Sequence, residues 1–231
     1  MSYSSGEDHY VHVKRLPNTK LSNAFRRAAK ALGRRWDVKD SNARSTPGGG
    51  MISLGTKKAA GCKEHMVSGP TRKDCSGETH WSGLNKICAK LNIHACKIAK
   101  KHFNRAYESI KDTADVLKLK IADYMGGEKG LCPQLVQSGH GFVAESHFDF
   151  DLSEYCLAIW NSEDGTDPEG WYFLLPSVEG EYEGVRYQAV AIRLRDGTGI
   201  EWCGRKLRHC STTPIDSLVN VFGTFFAIMS C

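Results

Sequence analysis

The segment His147-Phe148-Asp149, together with the distant His209, contains the residue types of a metal centre. In His-x-Asp the imidazole and the carboxylate are two residues apart, so on an extended strand both side chains point to the same face. His209 adds a second imidazole sixty-two residues after His147. Two histidines and one carboxylate can hold one face of Fe(II) and leave the other coordination positions open for a co-substrate and O2. The sequence therefore predicts His147, Asp149 and His209 as metal ligands and catalytic residues.

The residues around these ligands are typical of short β-strands. Turn signals such as Asp196-Gly197 and Pro214 separate them, and no helical pattern interrupts the series. The predicted strands are 142–150, 155–160, 171–175, 185–194, 199–202, 207–212 and 218–229. This spacing favours a sandwich or jelly roll and argues against a doubly wound parallel sheet.

The charge distribution divides the chain into two regions. Residues 1–127 contain 24 Lys+Arg and 11 Asp+Glu, a net charge of +13, whereas residues 128–231 contain 7 and 15, a net charge of −8. A basic region attracts polyanions through counterion release, so we expect DNA or RNA as a partner of this half. A basic solubilising region without a partner is the alternative.

The N-terminal half is predicted to be mainly helical. A basic amphipathic helix is expected over 20–36, and two helices or one broken helix over 86–124. Residues 1–20 read as extended or frayed, and 38–60 as a loop or linker containing Gly48-Gly49-Gly50. The predicted organisation is α+β, with a basic extension (1–60), a helical Cys/His-containing support region (61–127) and a jelly-roll core (128–231).

The C-terminal half resembles a known family. Besides His147-Phe148-Asp149, the stretch 196–202 (Asp-Gly-Thr-Gly-Ile-Glu-Trp) precedes Gly204-Arg205-Lys206-Leu207-Arg208-His209. These motifs are similar to those of the iron- and 2-oxoglutarate-dependent oxygenases, in particular the branch of the TET and base-J-forming hydroxylases. The resemblance covers roughly residues 130–231. It implies a double-stranded β-helix, Fe(II) on His147, Asp149 and His209, 2-oxoglutarate as co-substrate and hydroxylation of a C–H bond, with nucleic acid as the favoured substrate.

One part of the family pattern is missing. The family places an Arg or Lys about ten residues beyond the second histidine, where it pairs with the distal carboxylate of 2-oxoglutarate. In this chain the matching stretch is Leu218-Val219-Asn220-Val221. Candidate substitutes for cofactor binding are Arg193, Arg195, Arg205 and Arg208, although Arg208 adjoins His209 and should point to the opposite face of a strand. An inactive relative, or one with another co-substrate, stays open.

A second group of residues has the chemistry of a zinc site. Seven potential ligands lie within 35 residues: Cys62, His65, Cys75, His80, Cys88, His94 and Cys96. Thiolates and imidazoles suit tetrahedral zinc, but these spacings match no finger pattern, and Cys88 and Cys96 are equally typical of buried helix positions.

Composition narrows the remaining possibilities. Nine cysteines, an odd number, argue against a secreted disulfide framework, and there is neither a signal-peptide core nor a membrane-length apolar run. We therefore expect an intracellular protein with free thiols and no membrane association, and the nucleus is a candidate location. A non-catalytic nucleic-acid-binding protein with a degenerate jelly roll is the alternative to an oxygenase.

Overall fold

The computed structural model describes residues 2–5, 9–41, 44–46, 49–58, 66–68, 77–119, 130–182, 184–216 and 218–229. The helices are α1 (Lys20–Gly33), α2 (Gly77–His102) and α3 (Asn104–Val116), with a 3-10 turn at Val38–Asp40. The strands are β1 (Ser2–Ser5), β2 (His9–Arg15), β3 (Arg44–Thr46), β4 (Gly49–Lys58), β5 (Met66–Ser68), β6 (Gln134–Gly139), β7 (Ala144–His147), β8 (Cys156–Ser162), β9 (Tyr172–Leu175), β10 (Gly180–Tyr182), β11 (Val185–Tyr187), β12 (Val190–Arg193), β13 (Thr198–Trp202), β14 (His209–Ser211) and β15 (Val221–Phe226).

Two antiparallel sheets face each other, as the predicted jelly roll requires. The larger sheet has nine strands in the order β1-β2-β13-β8-β15-β6-β4-β3, with β5 added on β4. The smaller sheet has four strands in the order β12-β9-β14-β7, and β10 and β11 form a separate hairpin. Phe173 and Leu175 of the smaller sheet pack against Trp160 and Trp202 of the larger one. The space between the sheets is therefore an apolar layer.

Strand β8 shows why the larger sheet is buried on both faces. All seven of its residues are buried, and alternate side chains point to opposite faces. Leu157 and Ile159 pack in the cluster that contains the helices, whereas Ala158 and Trp160 pack in the cluster between the sheets. The helices thus cover one face of the larger sheet and the smaller sheet covers the other.

The helices are attached to the sheet by their buried faces and by one carboxylate. In α1, which lies inside the range predicted as helical, Phe25, Ala29 and Leu32 are buried, and Thr19 caps the first turn by accepting a hydrogen bond from the Ser22 amide at 3.2 Å. Glu201 of β13 accepts a hydrogen bond of 2.9 Å from the Ala106 amide in the first turn of α3. None of the described helices is both long enough and apolar enough to cross a membrane.

The helices expected in the N-terminal half are present as α1, α2 and α3, but a separate extension followed by a linker is not confirmed for the described residues. Strand β2 pairs with β13, and β4 pairs with β6, so both belong to the same sheet as the C-terminal strands. The glycines that indicated a linker allow close packing instead, because a Cβ on Gly49 would collide with the backbone of Phe142. The domain boundaries at 60 and 127 stay predictions, but β4 and β6, which are hydrogen-bonded to each other, lie on opposite sides of both.

The described cysteines carry free thiols, as predicted. Cys88, Cys96, Cys132, Cys156, Cys203 and Cys210 are all unpaired. Burial raises the pKa of Cys88 to about 12, helped by the neighbouring Cys132, so this thiol is protonated at neutral pH. A protonated, fully buried thiol is suited to packing and not to zinc.

The zinc hypothesis is only partly accessible to the structure. Cys62, His65 and Cys75 lie outside the described residues, and His80 lies within α2. Cys88, His94 and Cys96 converge on no metal position, since the groups with metal-ligand spacing in the described part of the chain are elsewhere.

Candidate metal centre

Pairing of β7 with β14 brings the two predicted histidines together. These strands are antiparallel neighbours, and His209 is the direct partner of His147 in their register. The register shifts between His209 and Ser211, which is the mark of a bulge or irregularity. The loop of sixty-one residues between the histidines is thus closed by a single strand pair at the edge of the smaller sheet.

The third ligand is positioned by the loop before β14. The Asp149 amide donates a hydrogen bond of 3.0 Å to the carbonyl oxygen of Gly204. A Cβ on residue 204 would lie 2.7 Å from Asp149 Oδ2. Position 204 therefore needs glycine, because any larger residue would displace the carboxylate from the histidines.

The three side chains meet at one point. His147 Nε2 lies 3.4 Å from Asp149 Oδ1, and His209 Nε2 lies 3.2 Å from Asp149 Oδ2. The two imidazole rings are 4.5 Å apart between centroids. One ligand atom from each residue lies within 4.8 Å of the others. Ligand atoms about 2–2.3 Å from a shared metal ion have such separations, so the predicted triad has the geometry of a metal site.

Backbone hydrogen bonds orient both imidazoles for metal binding. His147 Nδ1 is 2.6 Å from the Glu145 carbonyl oxygen, and His209 Nδ1 is 2.9 Å from the Leu207 carbonyl oxygen. A carbonyl oxygen only accepts, so each Nδ1 must donate. In the neutral imidazole Nε2 then carries the lone pair, and it points at Asp149. Two lone pairs and a carboxylate facing one point repel each other unless a cation or a proton stands between them, which is why this donor set fits Fe(II).

The electrostatics keep one carboxylate charged and the next one neutral. Burial acts to raise the pKa of Asp149, but the hydrogen bonds and charges of His147 and His209 outweigh it and hold that pKa well below its usual range. Burial, together with the charge of Asp149, raises the pKa of Asp151 to about 8. Near neutral pH, Asp149 is an anionic ligand and Asp151 adds little negative charge beside it.

An aromatic wall closes the cavity behind the metal position. The His209 ring stacks on Phe173 at 5.4 Å and meets Trp202 edge-on at 5.3 Å. The cavity has a volume of about 80 Å³. Trp202 lines it, and the buried indole Nε1 has no hydrogen-bond partner among the described residues. A buried N–H without an acceptor costs about 1–3 kcal/mol.

The four predicted cofactor-binding arginines lie outside this cavity. Arg193, Arg195, Arg205 and Arg208 are all exposed, and none lines the cavity wall. Arg208 donates to Ser146 Oγ at 2.9 Å, on the outer face of the same strand pair, because neighbours of His209 and His147 point away from the metal side. Their predicted role in binding the co-substrate gains no support from these positions.

Several residues that line the cavity or support it were not predicted from the sequence. Asp151 reads as an ordinary polar residue at a strand end, and Met51 falls in the segment predicted as a linker, yet both line the cavity. Gly204 carries no chemical group that would single it out. Asp151 could have been predicted, because it follows Asp149 by two residues. The roles of Met51 and Gly204 depend on contacts between segments that are distant in the sequence.

Comparisons with known proteins agree with this architecture. Neither family models nor curated proteins match the sequence. Among solved structures, NgTET1 in complex with 5mC DNA is similar with a TM-score of 0.57 and 11% identity, over 95% of this chain and 72% of that one. A 2OG-Fe(II) oxygenase family oxidoreductase from Burkholderia pseudomallei has a TM-score of 0.45 and 10% identity, over 94% of this chain and 84% of that one. A Pseudomonas putida prolyl-4-hydroxylase has a TM-score of 0.43 and 11% identity, over 97% and 95%.

At 11% identity, the similarity to NgTET1 indicates a shared fold but not a shared activity. The two facing sheets, the paired His147 and His209, and the similarity to NgTET1 all describe one architecture. The resemblance read from the sequence is thus supported at the level of the fold: this chain shares its jelly-roll fold with NgTET1.

Proposed function

We propose that this protein is an Fe(II)-dependent oxygenase that hydroxylates a C–H bond. The observation that carries the proposal is the convergence of His147, Asp149 and His209 within 4.8 Å, with both Nε2 atoms turned inward. His147, Asp149 and His209 would hold the iron, which would supply the activation of O2.

The residues of the chain serve this reaction by positioning and by excluding water. Backbone carbonyls hold the two imidazoles in one tautomer, and Gly204 leaves room for the carboxylate. The rings of Phe173 and Trp202 shield the metal side of His209. A rigid, apolar surrounding of this kind fixes ligand orientation and limits side reactions with solvent.

We propose nucleic acid as the substrate class. NgTET1, which has the same fold, is in complex with 5mC DNA. The basic half of this chain presents Lys86, Lys90, Lys97 and Lys101 on the exposed side of α2. These residues are spaced by four, seven and four positions, so they follow one face of the helix. Cations along a helix face can follow a phosphate backbone.

Turnover is the direct test of the oxygenase proposal. Fe(II)-loaded protein would be incubated with O2, a 2-oxo acid and DNA or RNA oligonucleotides, and the products analysed by mass spectrometry. We expect an iron-dependent mass gain of one oxygen atom on the nucleic acid. Binding of nucleic acid without any turnover would contradict the oxygenase and favour the alternative, a non-catalytic nucleic-acid-binding protein.

Binding to nucleic acid should depend on the α2 lysines. Changing Lys86, Lys90, Lys97 and Lys101 to Gln in the full chain is expected to weaken duplex DNA binding and flatten its salt dependence, because each lost phosphate contact lowers the log–log slope by about 0.9. Fluorescence anisotropy over a salt series measures both quantities. The matched control changes Arg186, Arg193, Arg195 and Lys206, which are exposed in the acidic half. Equal losses in the two variants would mean that only net charge matters and would argue against an α2 interface.

A further inference from the structure

The lining of the cavity beside the metal position contains, among the described residues, no cation that could pair with a second negative charge. Apart from the triad, its polar lining consists of Asp151, Cys156, Cys210 and Ser211, and the rest is apolar, with Phe142, Phe225 and Met229 among the side chains. Within the described ranges no Arg or Lys side chain lines it. The residues present therefore do not fit the distal carboxylate of 2-oxoglutarate.

The strand β14 and the C-terminal segment, which both line the cavity, place uncharged residues in it. On β14, Ser211 follows His209 by two residues and faces the same cavity. On the C-terminal segment, Phe225, Ala227 and Met229 alternate into the cavity. The nearest basic side chains in the sequence, Arg205, Lys206 and Arg208, are exposed. The missing cation is thus replaced by one hydroxyl and three uncharged side chains.

The chemistry of this lining favours an uncharged ligand end. A carboxylate moved from water into an apolar space loses its hydration, and only a cation or several donors can compensate for that loss. Here the neighbouring Asp149 carboxylate would add repulsion. An alkyl or thioether end would instead gain apolar contacts with Phe225 and Met229.

We propose that this cavity takes a 2-oxo acid whose side chain ends in an uncharged, apolar group, and not 2-oxoglutarate. The inference rests on the proposed function, since the oxo-acid end is expected at the metal held by His147, Asp149 and His209. It narrows that function by assigning the co-substrate class from the cavity wall.

Equilibrium binding tests the inference without reference to activity. The full chain, loaded with Fe(II) and kept free of oxygen, would be titrated calorimetrically with 2-oxoglutarate and with 2-oxopentanoate. The two compounds have the same carbon chain and differ only in a distal carboxylate or methyl group. We expect 2-oxopentanoate to bind at least tenfold more tightly. Equal or tighter binding of 2-oxoglutarate would overturn the proposal.

The outcomes separate this inference from the proposed function. If the protein binds iron but neither oxo acid, the co-substrate inference is overturned while the metal site stands. If it binds no iron, the proposed function itself is wrong.

A gain-of-binding variant supplies an independent check. Ser211→Arg places a guanidinium on the cavity side of β14, where it can pair with a distal carboxylate. This variant is expected to raise the affinity for 2-oxoglutarate at least tenfold. The affinity for 2-oxopentanoate should not increase. Ser211→Met adds similar bulk without charge and should not improve 2-oxoglutarate binding. If Ser211→Arg left the preference for 2-oxopentanoate unchanged, a missing cation would not explain it and the proposal would fall.

Discussion

Replacing His209 with alanine is expected to abolish stoichiometric Fe(II) binding. His209 Nε2 is one of three ligand atoms that face one point, and its Nδ1 is held by the Leu207 carbonyl oxygen. Loss of an outer hydrogen-bond partner of a metal ligand already costs about 10–100-fold in affinity. Loss of the ligand itself should cost more than that, which anaerobic equilibrium dialysis with iron quantification would measure.

The variant must separate ligand loss from packing loss. His209 is only 4% exposed and stacks on Phe173, so the alanine variant also loses core contacts. A ligand that is buried this deeply contributes to packing as well as to metal binding. His209→Leu replaces the imidazole with an apolar side chain of similar size and should lose iron binding to the same extent. Asp149→Ala should lose it as well.

A third histidine provides the matched control. His140 lies at a turn with a φ of 56°, and its Nε2 bonds to the Trp36 carbonyl oxygen outside the cavity. His140→Asn removes an imidazole while retaining a residue that tolerates positive φ. It should bind iron like the unchanged protein. Stoichiometric iron in His209→Leu or Asp149→Ala would refute the triad.

Changing Leu54 to alanine is expected to lower the free energy of unfolding by about 2–5 kcal/mol, the usual cost of truncating a fully buried leucine. Leu54 is 0% exposed and packs in the cluster that contains the helices, at a strand that pairs with β6. A leucine in a solvated linker would give almost no change. Urea denaturation followed by circular dichroism measures the difference.

Leu218 is the control for the same substitution at an exposed position. Its side chain is 88% exposed, so Leu218→Ala should change the free energy of unfolding by less than about 0.5 kcal/mol. If the two variants were equally stable, β4 would not belong to the core in solution.

The place of β2 and β4 also changes how the two halves should be studied. Because β2 pairs with β13 and β4 pairs with β6, a fragment of residues 128–231 would expose two unpaired strand edges of the larger sheet. Nucleic-acid binding by the basic half is therefore better tested with charge variants of the full chain than with truncations.

Local patterns in the sequence were sufficient for some features. His147 and Asp149 share a face because side chains alternate along extended backbone, and this held without knowledge of any partner strand. The apolar spacing of Phe25, Ala29 and Leu32 predicted the buried face of α1 for the same kind of reason. The series of short predicted strands after residue 127 favoured a sandwich or jelly roll. The alternation of side chains also predicted that Arg208 points away from His209.

Other features depend on contacts between distant segments. Glycine-rich 48–50 reads as a linker from composition, but Gly49 lies against Phe142 in the folded protein, and that contact is a property of two segments. Three further features also depend on such contacts: the pairing of His147 with His209, the fit of Gly204 against Asp149, and a cavity wall whose described residues include no cation. Side-chain alternation assigns residues to faces, but only strand order and register decide which faces meet, and long-range pairing sets both.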